Sequence, residues 1–130
     1  LNVSGSLAVG GTLAVGAFQA NSLTVAGHVT TLGSAPSVSR GTALGSKWTG
    51  ASSCNDEAGT VAANTGVGAT SGLVACVTFR SSYAKIPHVV VSASAPVNAY
   101  VSRSTSGFCI YVGNSLGVGN GYAFDYIVEQ

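Results

Sequence analysis

The first 33 residues carry a short repeat in which leucine, a spacer, valine and glycine recur. The units LNVSG, LAVGG and LAVGA begin at Leu1, Leu7 and Leu13, and a variant, LTVAG, begins at Leu23. A leucine and a valine two positions apart lie on the same side of an extended strand, and glycine permits the turn that ends it. A strand this short buries too little surface to fold alone. The pattern therefore predicts units that stack on copies from other chains.

The structure predicted from this repeat is a multi-chain β shaft over residues 1–33. Its core would consist of the leucine and valine of each unit. These residues are Leu1, Val3, Leu7, Val9, Leu13, Val15, Leu23 and Val25. The alternative is a glycine-rich linker without a fixed shape.

Beyond residue 53, apolar and polar residues alternate over longer runs than in the repeat. Turn residues separate these runs into short segments. Strands at this spacing, without any helical period, are typical of an antiparallel β-sandwich or a jelly-roll-like domain. The predicted strands cover residues 59–64, 73–80, 88–95, 98–104, 107–113 and 121–130. The predicted core consists of Val61, Val77, Phe79, Val89, Val91, Phe108, Ile110, Phe124 and Tyr126.

Residues 34–53 are predicted to connect the shaft to the sandwich, because Pro36 and a high density of serine and glycine interrupt every period. Trp48, the single tryptophan, is expected to be a packing anchor at the base of the sandwich or at a subunit interface. The sequence is thus divided into a shaft (1–33), a connector (34–53) and a sandwich (54–130). Because it begins at Leu1 without an initiator methionine or a signal-peptide pattern, we interpret it as part of a longer or processed chain.

Composition narrows the classes of function. Charged residues are 7% and hydrophobic residues 46% of the chain, the opposite of the balance that disorder requires. A net charge of +1 is too small to indicate the positively charged surface that nucleic-acid binding requires. The chain has no apolar run of the length needed to span a membrane. We therefore expect neither nucleic-acid binding nor membrane insertion.

The acidic residues are few and badly placed for catalysis. Asp56 and Glu57 are adjacent, so on a strand they would point in opposite directions, and a polar turn is the simpler interpretation. Asp125, between Phe124 and Tyr126, is expected to face away from the core. We therefore predict a protein that is not an enzyme and has no cofactor.

The cysteines and histidines do not form a metal-binding pattern. Cys54, Cys76 and Cys109 lack a CxxC spacing, and they fit either one disulfide with a free thiol or three buried thiols. His28 and His88 are expected to be structural. A further hypothesis is that three copies of His28 meet on a symmetry axis and bind a metal ion or an anion.

An ordered series of motifs resembles the C-terminal knob of bacteriophage tail-fibre proteins. The motifs are CNDEAGTV, ACVTF, SSYAKIPHVVVSAS, YVSRSTSGFCIYV and GYAFDYIVEQ, which span residues 54–130. The preceding L-x-V-x-G units are similar to the glycine-punctuated shafts of that family. This resemblance implies a homotrimer with intertwined chains, joined to other virion fibre or baseplate proteins and located on a virion assembled in the host cytoplasm. It also implies a distal tip that recognises a glycan or protein on the host surface.

The receptor site is expected on the loops of the sandwich, since loops carry function on rigid sheets. The candidate loops are 65–72, 96–99, 104–107 and 113–121. The candidate receptor-binding residues are Tyr83, Asn98, Tyr100, Arg103, Tyr111, Asn114 and Asn120. The alternatives are a purely structural virion decoration or whisker fibre, a trimeric bacterial surface adhesin, and a small glycan hydrolase.

Overall fold

Eight short β-strands form in the part of the chain that the structure describes. The computed structural model describes residues 4–48 and 50–130, and this part contains no α-helix. The strands are β1 (Ser37–Arg40), β2 (Ala51–Ser52), β3 (Ala58–Asn64), β4 (Gly72–Thr78), β5 (His88–Ala93), β6 (Ala99–Ser104), β7 (Gly107–Val112) and β8 (Gly121–Glu129). A 3₁₀ turn, Thr42–Leu44, lies between β1 and β2.

The strands form two four-stranded sheets with antiparallel neighbours. One sheet has the order β1-β4-β7-β6 and is here called sheet A, and the other has the order β2-β3-β8-β5 and is called sheet B. The prediction of an all-β, sandwich-like fold is confirmed. Each of the six predicted strands is present, with ends that differ by no more than two residues.

The core lies between the sheets. Seven of the nine predicted core residues are buried, whereas Val89 and Val91 are half-buried because β5 is an edge strand of sheet B. A β-bulge shifts the register of β4 between Leu73 and Ala75. Both Val74 and Ala75 are therefore buried, although strict alternation would bury only one of them.

The segment predicted as a connector differs from that expectation. It contributes β1 to sheet A and β2 to sheet B, and Ala43 and Leu44 within its 3₁₀ turn are fully buried. Two apolar side chains in a glycine-rich stretch thus close part of the core. Trp48 is half-buried and packs against that core, as expected of an anchor.

Residues 4–36 contain no strand in this single chain. Within the described residues, the predicted shaft core residues are 45–69% exposed: Leu7, Val9, Leu13, Val15, Leu23 and Val25. Leu1 and Val3 lie outside the described residues. The β shaft therefore remains a prediction, and one chain alone leaves its apolar side chains in water.

Thr31, near the end of the repeat segment, contacts the sandwich at the end where Asn55 lies. The Nδ2 atom of buried Asn55 lies 2.8 Å from the carbonyl oxygen of Thr31 and 2.9 Å from its hydroxyl oxygen. We call this the entry end, and it includes loops 53–57 and 79–87 and the turn at 105–106. Loops 65–71, 94–98 and 113–120 lie at the opposite end, here called the far end.

Candidate functional site

Two loops at the far end are joined through Thr65, which is fully buried. The Thr65 N–H donates to the carbonyl of Asn120 at 2.9 Å, and the Gly119 N–H donates to the carbonyl of Thr65 at 3.1 Å. The Thr65 hydroxyl accepts from the Asn120 N–H at 3.0 Å and donates to the carbonyl of Gly117. Loops 65–71 and 113–120 are thereby held as one rigid unit.

The third far-end loop joins this unit through two asparagines. The side-chain oxygen of Asn114 accepts the Asn98 N–H at 2.7 Å, and the Gly113 N–H donates to the carbonyl of Asn98 at 2.8 Å. Three of the four candidate loops, and the candidate residues Asn98, Asn114 and Asn120, are thus brought together. The fourth loop, 104–107, lies at the entry end.

The far-end unit presents two apolar tips. Val67 is 79% exposed and Val118 is 60% exposed, and each is followed by a glycine with φ near +80°. That backbone region is disfavoured for other residues, so Gly68 and Gly119 set the shape of these turns. Sequence reasoning did not select these valines, although the recurrence of Gly-Val-Gly in both loops was a usable signal.

A stacked pair of tyrosines lies on sheet A beside the far end. Tyr100 of β6 and Tyr111 of β7 are register partners, and their ring centroids are 5.3 Å apart with 13° between the ring planes. The ring of Tyr100 remains 53% exposed. Flat, partly exposed aromatic rings with polar edges are suited to stacking against another molecule.

The other two candidate residues lie at the entry end, away from this group. Tyr83 packs edge-on against Phe79 with 5.0 Å between ring centroids. Burial, followed by the negative charges of Glu57 and Asp56, raises the pKa of the Tyr83 phenol. Arg103 donates to the carbonyl of Pro87 at 3.0 Å. Both side chains thus have partners within the sandwich.

The outer face of sheet A carries a disulfide. The sequence predicted such a bond only as one of two alternatives, the other being three buried thiols. Cys76 of β4 and Cys109 of β7 are directly opposite each other and are bonded, whereas Cys54 is free. A shallow groove surrounds the bond, and the hydroxyl-bearing residues Thr78, Ser102 and Ser104 line it. These short side chains leave the disulfide accessible from one side.

The two aspartate carboxylates make hydrogen bonds within the fold. Asp56 accepts the N–H groups of Arg80 and Ser81 at 2.7 and 2.9 Å and so shapes the loop after β4. Exposed Asp125 accepts the hydroxyl of Thr60 at 2.5 Å. No group of three or more histidine, cysteine or acidic side chains is arranged to hold a metal ion in the part of the chain that the structure describes.

Comparisons of the chain with family models, curated proteins and solved structures found no match. Across residues 4–48 and 50–130, no helix is long and apolar enough to cross a membrane. The geometry alone therefore identifies the far end, with the adjoining tyrosine pair, as the candidate binding surface.

Proposed function

We propose that the chain is the distal part of a homotrimeric virion fibre, of the tail-fibre kind, that attaches the particle to a receptor on the host surface. One observation supports this above all. The repeat segment joins the sandwich at the entry end, and five of the seven candidate receptor residues lie at or beside the opposite end. A fibre needs this polarity, with assembly at one end and recognition at the other.

In this proposal the receptor is a glycan, and Tyr100 and Tyr111 provide the stacking surface. Asn98, Asn114 and Asn120 lie on the far-end loops. In this proposal their side-chain amides, apart from the Asn114 oxygen that accepts the Asn98 N–H, form hydrogen bonds with sugar hydroxyls. Three copies on one fibre would add weak contacts through avidity, without any catalytic step. The entry side would face other fibre or baseplate proteins of the virion, which assembles in the host cytoplasm.

Binding to whole cells of a permissive host tests the proposal. The trimeric chain should bind these cells and compete with virus, and surface polysaccharide isolated from them should block the binding. Tyr100→Ala and Tyr111→Ala should each weaken binding at least tenfold, whereas Lys85→Ala, at the entry end, should not change it. Unaltered binding by both tyrosine variants would contradict the site.

A second candidate function is a structural decoration fibre or a surface adhesin without a specific receptor. The observation that favours it is the chemistry of the far end, where Thr65 and Asn114 are already bonded within the fold. Its exposed apolar side chains, Val67 and Val118, offer no polar anchor. An intact trimer that binds no host cell would support this second candidate.

A further inference from the structure

The outer face of sheet A carries mainly polar side chains without charge. Three rows of register partners cross it, and each row lies two residues further along the strands than the one before. The rows are Tyr100 with Tyr111, then Ser102 with Cys109, Cys76 and Ser39, and then Ser104 with Gly107, Thr78 and Ser37. Aromatic rings, a disulfide and hydroxyls thus follow one another from the tyrosine pair towards the entry end.

The groove over the disulfide adjoins the tyrosine pair. Cys109 is two residues from Tyr111 on β7, so their Cα atoms are about 7 Å apart along the strand. Gly107, two residues further on, has no side chain, and its register partners Thr78 and Ser104 lie on either side of it. The groove formed in this way has a volume of about 270 Å³. It continues the line of the two rings.

Two hydroxyls in the groove are available to a ligand. Within residues 4–48 and 50–130, the hydroxyls of Thr78 and Ser102 make no hydrogen bond to another protein group. The hydroxyl of Ser104, in contrast, is already bonded to Ser106 and Gly107. Serine and threonine hydroxyls both donate and accept hydrogen bonds. Sugar hydroxyls do the same, so the two kinds of group can pair without any charge.

The charges of this sheet restrict the kind of ligand. The strands β1, β4, β6 and β7 contain no aspartate or glutamate. Their two arginines are Arg40, which donates to the carbonyl of Gly45, and Arg103, which borders the groove and donates to the carbonyl of Pro87. A cationic ligand would find no carboxylate here, and an anionic ligand would compete for arginines that already have partners. The face therefore favours a neutral ligand.

The position of the groove favours a polysaccharide over a peptide. Extended peptides add to sheets at an edge, where backbone N–H and C=O groups lack a neighbouring strand. The groove instead lies over β4 and β7, which are the two central strands of sheet A. A sugar ring presents a C–H face that can stack on tyrosine, and it carries hydroxyls around its edge. Both of these features find a counterpart on this face.

We infer that the outer face of sheet A binds a neutral polysaccharide, with one sugar on Tyr100 and Tyr111 and the adjoining sugar in the groove beside Ser102 and Thr78. This inference rests on the proposed attachment to a host glycan. It adds the charge class of that glycan and a second contact, which lies on the sheet and away from the far-end loops.

Binding of the full chain to a panel of immobilised oligosaccharides tests the inference. Neutral members of the panel are built from hexoses and N-acetylhexosamines, and acidic members contain sialic acid, uronic acid or sulfate. The unmodified chain should bind neutral members. Its affinity should stay the same between about 0.05 and 0.5 M sodium chloride, because the contact contains no ion pair for salt to screen.

Two variants locate the contact. Ser102→Arg fills the groove and should weaken binding to the neutral members by about tenfold or more. Thr78→Val removes one hydroxyl at nearly constant size and should weaken it by about three- to tenfold. The matched control is Ser92→Arg, which places the same long side chain at an exposed serine on β5 of sheet B and should leave the affinity unchanged.

The outcomes separate this inference from the proposed function. Binding confined to acidic members, or to no member, would overturn the inference, as would neutral binding that neither Ser102→Arg nor Thr78→Val weakens. In each of these cases, binding of the chain to permissive host cells would leave the attachment function standing, and its absence would remove both. Circular dichroism checks that each variant is folded. If Ser102→Arg fails that check, Ser102→Ala and Thr78→Val decide.

Discussion

The phenol of Tyr126 on β8 donates a hydrogen bond of 2.7 Å to the backbone carbonyl of Asn55. Tyr126 is 2% exposed, and its ring also packs on Phe108 with 5.0 Å between centroids. This bond holds loop 53–57 against the core, while the side chain of Asn55 holds Thr31. The repeat segment is therefore connected to the centre of the sandwich through two residues.

Tyr126→Phe should lower the free energy of unfolding by about 1–2 kcal/mol, because it leaves the buried carbonyl of Asn55 without its donor. Urea denaturation at pH 7 measures this loss. Tyr100→Phe is the matched control, since its phenol lies on an exposed ring, and it should change stability by less than about 0.5 kcal/mol.

The buried phenol of Tyr126 also predicts a stability that falls at alkaline pH. Burial, followed by the neighbouring Cys54, raises the pKa of Tyr126 above its ordinary value of 10.0. The folded chain therefore keeps a proton that the unfolded chain loses, so stability is constant below about pH 10 and falls as pH rises further. Melting temperatures between pH 8 and pH 11 should show this fall in the unmodified chain and a smaller one in Tyr126→Phe. An equal fall in both would contradict the assignment.

Thr65→Val should destabilise the far end without changing its shape. The substitution removes the hydroxyl that bonds to Asn120 and Gly117, and both backbone groups lose their partner. We expect a loss of about 1–3 kcal/mol, and faster hydrogen exchange confined to residues 65–71 and 113–120. Thr70→Val, at an exposed position in the same loop, is the control. Uniform exchange across the sandwich in Thr65→Val would show that the loops are not a separate unit.

Removal of the disulfide should destabilise the sandwich by about 2–4 kcal/mol, since the bond joins cysteines 33 positions apart in the sequence. Cys76→Ser with Cys109→Ser should match the effect of a reducing agent on the unmodified chain. Cys54→Ser should keep its sensitivity to the reductant. Peptide mass mapping without reduction should find Cys76 joined to Cys109, and any other pairing would refute the assignment.

Gly41→Ala should cost on the order of 3 kcal/mol through overpacking. A Cβ atom on Gly41 would lie 2.1 Å from the carbonyl oxygen of Leu73, which is backbone and cannot rotate away. Gly50→Ala has no heavy atom within 4 Å of the added carbon and should be nearly neutral. Similar melting temperatures for the two variants would mean that β1 does not lie against β4 as described.

Strict alternation was enough to predict the six longer strands and most of the core. It could not predict the burial of Val74, because a β-bulge changes the face of the sheet on which a residue lies. The alternation of apolar and polar residues does not reveal where such a bulge occurs. Nor could it predict the burial of Leu44, whose neighbours in sequence are turn residues and whose burial depends on chain segments far away. Long-range packing decided both positions.

The candidate site was predictable in part. Tyr100 and Tyr111 follow from the hairpin of β6 and β7, which places them opposite each other. Tyr83 and Arg103 lie at the entry end, and this position depends on the direction in which each strand runs. The partners of Thr65 could not be inferred, because glycine-rich loops reveal their backbone bonds only when folded.

The bond between Cys76 and Cys109 also bears on when the protein matures. Glutathione and thioredoxin keep thiols reduced in a bacterial or eukaryotic cytoplasm, and disulfides persist outside it. If the fibre assembles in the host cytoplasm, β4 and β7 must find their register while both thiols are still free. Oxidation would then follow cell lysis and reinforce a particle that has already left its host.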